Sequence, residues 1–139
     1  MKKIIFIFMM IIMSLSVFAK VSWYSKGFEG KLTASGYVYD SSKYVCASNE
    51  HPFGTVLKVT NKENNKSVVV IVVDRGSFTK KYGRQLDLSR AAFAKIAKLG
   101  KGLINADIKV ISSENTFRYK HGGIKFTDKE YDRYTMNLI

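Results

Sequence analysis

A single cysteine, Cys46, stands among 139 residues, so an oxidising compartment would give this chain no internal disulfide and its stability must come from packing. Nor does a cysteine follow the N-terminal apolar run, where a lipid anchor would need one. That run, Ile4 to Met13, falls well short of the ~20 apolar residues of a membrane helix. No internal repeat and no low-complexity tract interrupts the rest. Acidic residues are scarce, 11 against 23 basic, which sets the net charge at +12. No metal and no cofactor is expected.

What is present begins with an export signature. Lys2-Lys3, the apolar run and the small-residue exit Ser14-Leu15-Ser16-Val17-Phe18-Ala19 have the order of a cleavable signal peptide, with Val17 and Ala19 at −3 and −1 and the cut before Lys20. The protein is therefore expected in the periplasm or cell envelope, without a stable membrane anchor. Removing residues 1–19 leaves 120 residues, enough for one domain with a modest core. Lys2 and Lys3 leave too, so 23 basic residues become 21 and, against 11 acidic, the mature charge is +10. Such a balance points to an anionic partner. An exported protein meets little nucleic acid, which leaves wall polymers, anionic head groups and acidic glycans, or lysines that simply keep the protein soluble.

The mature chain reads mainly as short strands. Val21 to Tyr24 is the first, Tyr37-Val38-Tyr39 carries β-formers after a glycine-broken stretch, and Val56 to Thr60 follows the turn His51-Pro52-Phe53-Gly54. The cluster Asn61 to Lys66 suits a hairpin loop, because its adjacent asparagines tolerate positive φ. Ser67 to Val73 then contains six consecutive β-branched residues, the pattern of a strand buried on both faces. Ser89 can cap a helix of about three turns over Arg90 to Leu99, with Gly100 at C′. Leu103 to Ile111 alternates, Ile104, Ala106, Ile108 and Val110 against Asn105, Asp107 and Lys109. In the tail, Thr127 to Glu130 has capping-box spacing and Tyr131, Tyr134 and Leu138 could form a stripe; a frayed terminus is the alternative. Many short strands and one short helix predict a small closed or nearly closed β-barrel.

Two side chains draw attention for their chemistry. Asp74 ends the all-apolar strand just where backbone leaves the barrel, followed by Arg75-Gly76. A carboxylate at such a boundary suits a general acid, although Asp-Arg-Gly is equally an ordinary turn whose aspartate caps backbone amides. Cys46, within Tyr44-Val45-Cys46-Ala47, reads as a small buried apolar residue; as a nucleophile it would need His51 beside it.

A larger pattern joins these pieces. Trp23-Tyr24, Thr33-Ala34-Ser35-Gly36, Pro52-Phe53-Gly54-Thr55, Val59-Thr60-Asn61, Ser67-Val68-Val69-Val70, Asp74-Arg75-Gly76-Ser77-Phe78 and Asp87-Leu88-Ser89-Arg90-Ala91-Ala92 together resemble the rare lipoprotein A (RlpA) family, collinearly from about Val21 to Val110. The resemblance implies a six-stranded double-psi β-barrel, distantly similar to expansins, in an envelope protein acting on peptidoglycan. Active members are endolytic transglycosylases that prefer glycan strands without stem peptides. Two positions depart from the family pattern: Tyr37 stands where a glutamate commonly follows the Thr-Ala-Ser-Gly turn, and Ser48 where a histidine commonly precedes Pro-Phe-Gly-Thr.

These readings define the expectations. Residues 1–19 are the signal peptide, 20–112 the barrel and 113–139 a C-terminal extension. Asp74 is the catalytic acid/base, with the neighbouring Asp40 a reserve carboxylate. Trp23, Tyr24, Tyr37, Ser48, Arg75 and Phe78 bind substrate, the aromatics as stacking platforms, with a place in the core, the commoner fate of aromatics in so small a barrel, as the alternative. The partner is the peptidoglycan glycan strand, the protein acts as a monomer, and the product is a 1,6-anhydro end. The competing expectation is a wall-binding module that holds glycan strands without cleaving them.

Overall fold

The computed structural model describes residues 19–78, 83–119, 122–136 and 138. All but Ala19 of the expected signal peptide lies outside them. No helix among the described residues is long and apolar enough to cross a membrane.

Six strands close into a barrel. They are β1 (Ala19–Trp23), β3 (Val45–Ser48), β4 (Val56–Asn61), β5 (Ser67–Asp74), β6 (Arg84–Leu88) and β7 (Leu103–Ser112), and around the barrel they run β1-β6-β3-β5-β4-β7. The pairs β1/β6 and β3/β5 are parallel and the others antiparallel. The expected barrel is thus present, with β2 (Tyr37–Val38) and β8 (Ile124–Lys125) as a separate parallel pair on its outside.

The valine-rich run of β5 explains the layering. Val68, Val70 and Val72 meet Val21, Cys46, Leu57, Val59, Leu86, Leu88 and Ile104 in the barrel interior, to which all six strands contribute. Ile71 and Val73 face the other way, into an outer cluster with Val45, Ala47, Val56, Tyr24, Tyr37, Tyr39, Phe126 and Tyr134. A strand covered on both sides needs an apolar run rather than alternation.

Helix α1 (Arg90–Ile96) closes the interior with Phe93 and Ile96, and Ser89 Oγ accepts from Ala92 N at 3.3 Å as its N-cap. It is seven residues long, not the three turns expected to end at Gly100. The Ile96 carbonyl accepts both the Asn61 and Asn64 side-chain amides, at 2.8 and 2.9 Å, so the β4–β5 hairpin stops the helix. The chain then makes a 3₁₀ turn, Leu99–Lys101, closed by Gly102 at φ 65°. In the hairpin itself Asn65 takes φ 58°, as its adjacent asparagines suggest. Strand β7 alternates as expected through Ile108. Beyond it Val110 is 44% exposed, and a bulge opposite Val56–Leu57 turns Ile111 to the outer cluster.

The tail is ordered against the outside of the barrel. Phe117 N donates to Phe53 O at 2.9 Å, and α2 (Asp128–Thr135) starts from the expected cap, Thr127 Oγ1 accepting from Glu130 N at 3.2 Å. Tyr131 Oη donates to Val69 O at 2.8 Å. At Gly54, with φ +88°, a Cβ would stand 2.4 Å from Asn115 O, so the tail's approach admits no side chain there.

Candidate active site

Strand register sets the core of the site. Ala47 on β3 pairs with Asp87 on β6 and with Asp74 on β5, and Asp87 pairs with Ser22 on β1. Directly paired residues project from the same side of a sheet, and on β5 a register shift that skips Val73 keeps Asp74 on the outer side, where it meets Tyr24. Ser22, Asp87, Ala47 and Asp74 thus form one outward row across four strands, with a methyl group between two carboxylates.

Asp74 is half-buried and held by three donors. Oδ1 accepts Ala34 N and Arg75 N, each at 2.9 Å, and Oδ2 accepts Tyr24 Oη at 2.7 Å. The Ala34 amide is aimed by the Thr33-Ala34-Ser35-Gly36 turn, which Gly36 N closes onto Thr33 O at 3.0 Å and Ser35 N docks onto Val73 O at 3.2 Å. Burial, then the Asp74 charge, pushes the Tyr24 phenol well above its ordinary value. Tyr24 therefore stays protonated and donates throughout the neutral range.

Tyr24 also joins Asp74 to a cleft of about 320 Å³, lined among others by Trp23, Lys26, Glu29, Tyr39 and Arg90. Its ring stacks on Tyr39 with centroids 4.4 Å apart. Trp23 is half-buried, fixed by Nε1 donating to Leu99 O at 3.1 Å. On the other side Arg75 stands at a second cleft of about 350 Å³ with Asn49, His51, Phe53, Phe117 and Arg118. Its Nη1 donates to Ser48 O and His51 O, both at 2.7 Å, and the guanidinium lies 4.0 Å from the centre of the Phe53 ring. Arg75 thus ties down the 48–51 loop while lining the cleft.

The structure therefore brings Trp23, Tyr24, Asp74 and Arg75 together, and it places the other candidates differently. Tyr37, expected as a stacking platform, is wholly buried in the outer cluster and offers no face to a sugar. Its hydroxyl donates to Glu130 Oε2 at 2.6 Å and lies 3.1 Å from Tyr134 Oη. Ser48, expected to touch substrate, is also fully buried; its Oγ accepts Glu50 N at 3.1 Å and His51 N at 3.3 Å, closing a turn. Phe78 is half-buried, folded over Gly76, where a Cβ would meet its ring at 2.5 Å, and beneath the Arg84 guanidinium 5.2 Å away. Asp40 accepts Ser42 N at 2.9 Å and Ser42 Oγ at 2.6 Å, capping its own turn. Cys46 is buried in the interior, where burial pushes its thiol up, away from nucleophilic use. Among the described residues no group of three or more His, Cys, Asp or Glu could hold a metal.

Asp87 escaped the reading of the residues. Ser22 Oγ donates to its Oδ1 at 2.9 Å. Burial raises its pKa, Ser22 and Arg84 oppose that rise, and Asp74 adds to it. The available signal was the alternation of Gln85 and Asp87 with Leu86 and Leu88, which marks a strand rather than the lead-in to a helix.

A family model described as lytic transglycolase matches residues 17–108. The endolytic peptidoglycan transglycosylase RlpA of Vibrio cholerae is 45% identical over 93 residues, 67% of this chain and 35% of that protein. Its namesake from Campylobacter jejuni is 36% identical over 108 residues, 76% and 38%. The chain thus spans between a third and two fifths of these curated relatives. Among solved structures it is similar to the Streptomyces papain inhibitor, with TM-score 0.51 at 28% identity over 66% of this chain and 87% of that one. A Clavibacter michiganensis expansin in complex with cellohexaose shares the fold, with TM-score 0.54 at 20% identity over 68% and 50%.

Proposed function

The chain belongs to the lytic transglycolase family, and from that premise we propose that it is an exported enzyme that cleaves peptidoglycan glycan strands endolytically, leaving 1,6-anhydro ends. It works as a monomer, without cofactor, in the periplasm or cell envelope, after cleavage before Lys20. Residues 20–112 form the catalytic barrel and 113–139 an extension, and strands without stem peptides are the preferred substrate. One observation carries the reading: Asp74 is fixed by three hydrogen bonds at the end of β5, beside an aromatic cleft, within the segment that the family model matches.

The reaction needs little from the protein. The nucleophile is the C6 hydroxyl of the sugar being cleaved, so no enzyme nucleophile and no activated water is required, and a hydrolase's second carboxylate has no obligatory counterpart. What remains is to take the C6 proton and to protonate the departing glycosidic oxygen, which in the minimal scheme one carboxyl does in turn. Trp23 offers an apolar face to a pyranose ring, with Tyr24 and Tyr39, each only 5% exposed, forming the cleft wall beside it rather than free stacking platforms. Arg75, Lys26 and Arg90 offer cations to the lactyl carboxylates of peptide-free strands.

A second reading has its own support. The positions where the family pattern carries glutamate and histidine are Tyr37 and Ser48, both buried and occupied internally, which suits a non-catalytic module that only holds glycan. Mass spectrometry of peptide-free strands incubated with the mature protein separates the two. Anhydro-ended fragments are expected; binding to strands with none released would overturn the enzymatic reading.

A further inference from the structure

We infer that the proton work is divided between two carboxyl groups, with Asp87 the donor to the departing glycosidic oxygen and Asp74 the acceptor from the C6 hydroxyl. The inference rests on the transglycosylase reading and names a catalytic residue within it. Its ground is the row Ser22–Asp87–Ala47–Asp74. The two aspartates lie two strand spacings apart, about 9–10 Å between Cα atoms, and project to the same side over the smallest side chain in the row.

Their bonding differs in the way the two roles require. Both oxygens of Asp74 are acceptors to fixed donors, two backbone amides and the Tyr24 hydroxyl, which suits a group that receives a proton without moving. Asp87 accepts a single bond, from Ser22 to Oδ1. Its Oδ2 accepts none from the described residues. With no bond to the described residues at Oδ2, that oxygen is the one that can present a proton. Burial favours the neutral form of Asp87, and the Asp74 charge adds to this. Neighbouring carboxyls in unlike environments are how acid and base roles are divided in other sites.

The step balances as follows. The Asp87 proton passes to the glycosidic oxygen as its bond to C1 breaks, the C6 oxygen bonds to C1, and the C6 hydroxyl proton passes to Asp74. Solvent then removes the proton from Asp74 and returns one to Asp87.

The test compares peptide-free strands with an aryl glycoside of the same sugar, whose phenolate departs without protonation. D87N keeps an oxygen to accept from Ser22. It should lose about 10²–10⁴-fold in kcat/KM on strands and recover most of that loss on the aryl glycoside, whereas D74N should be impaired on both. Equal impairment of D87N on both substrates, or none on strands, would overturn the assignment. Wild-type protein that releases no anhydro product from either would instead overturn the functional reading beneath it. Should D87N fail to fold, S22A carries the test. It removes a bond that favours the Asp87 carboxylate, so the alkaline limb of the pH–rate profile should move upward. The other titratable and charged groups around Asp87 are Arg84 on its own strand, Asp74 on β5, the inward-facing Cys46 on β3, and Tyr24 and Tyr39, and all are retained. An unmoved limb would overturn the inference.

Discussion

The inside and the outside of the barrel are built on different principles. Inside, aliphatic side chains from six strands meet Phe93 and Ile96 of α1, with the weakly polar Cys46 among them. Shape and volume hold them, and any chemistry would be a liability there. Outside, the cluster is rich in tyrosine, and the hydroxyls are assigned: Tyr24 to Asp74, Tyr37 to Glu130, Tyr131 to Val69 O. Those hydroxyls do two jobs with one chemistry. One fixes the candidate catalytic carboxylate and the others fasten the tail. The lesson is that the outer face achieves position through directed bonds, whereas the interior achieves stability through contact.

Four measurements put that contrast to the test. The largest effect is expected at Asp74, where Asp74→Asn should lower cleavage by about 10²–10⁴-fold with little change in fold, because the asparagine oxygen still accepts Ala34 N and Arg75 N. Activity and thermal unfolding must be read together; wild-type cleavage by this variant would remove the outer face from the chemistry. Next comes the interior, where Leu57→Ala, at a fully buried position, should cost about 2–5 kcal/mol in denaturant unfolding. A loss under 1 kcal/mol would mean the interior is looser than its contacts indicate. A third, smaller effect is expected for Tyr37→Phe, about 1 kcal/mol of stability with cleavage intact, since Glu130 retains Arg133 at 2.9 Å. Lost cleavage in this variant would place Tyr37 in the reaction.

The smallest effect is titration. Burial raises the Cys46 thiol inside and the Tyr24 and Tyr37 phenols outside. A group whose folded pKa is raised gives stability that is complete below its unfolded value and lost as pH climbs toward the folded one. Unfolding free energy should therefore begin to fall above about pH 8.5, the ordinary thiol value, and steepen above about 10, the ordinary phenol value. Cys46→Ala should erase only the first stage and Tyr37→Phe only part of the second. A single stage untouched by either variant would contradict this division.

Local chemistry accounts for which of these features could be read in advance. The run of β5, the Asn65 turn and the caps at Ser89 and Thr127 each rest on a few adjacent residues, and each is found where those residues put it. The end of α1 differs from the expected one because its stop comes from Asn61 and Asn64, about thirty residues upstream. Tyr37 reads as a surface aromatic beside a glycine turn; its burial depends on Phe126, Glu130 and Tyr134, around ninety residues away. Asp74 stood out as the polar end of an apolar strand. Asp87 gains significance only through cross-strand register with Ala47, which no local pattern displays.

The position of β7 also fixes an order of events. It lies between β1 and β4 and pairs with both, Ala19 with Ala106 and Leu57 with Val110, so the barrel is an open sheet until the residues up to 112 have been made. Closure depends on partners more than eighty residues apart, the kind of pairing that forms slowly. Even then the outer cluster around Val45, Val56 and Ile71 is incomplete until Phe126, Tyr131 and Tyr134 join it. During synthesis the residues that help hide the outer face therefore follow those that close the barrel, and an apolar face left open in that interval is what draws unfinished chains together.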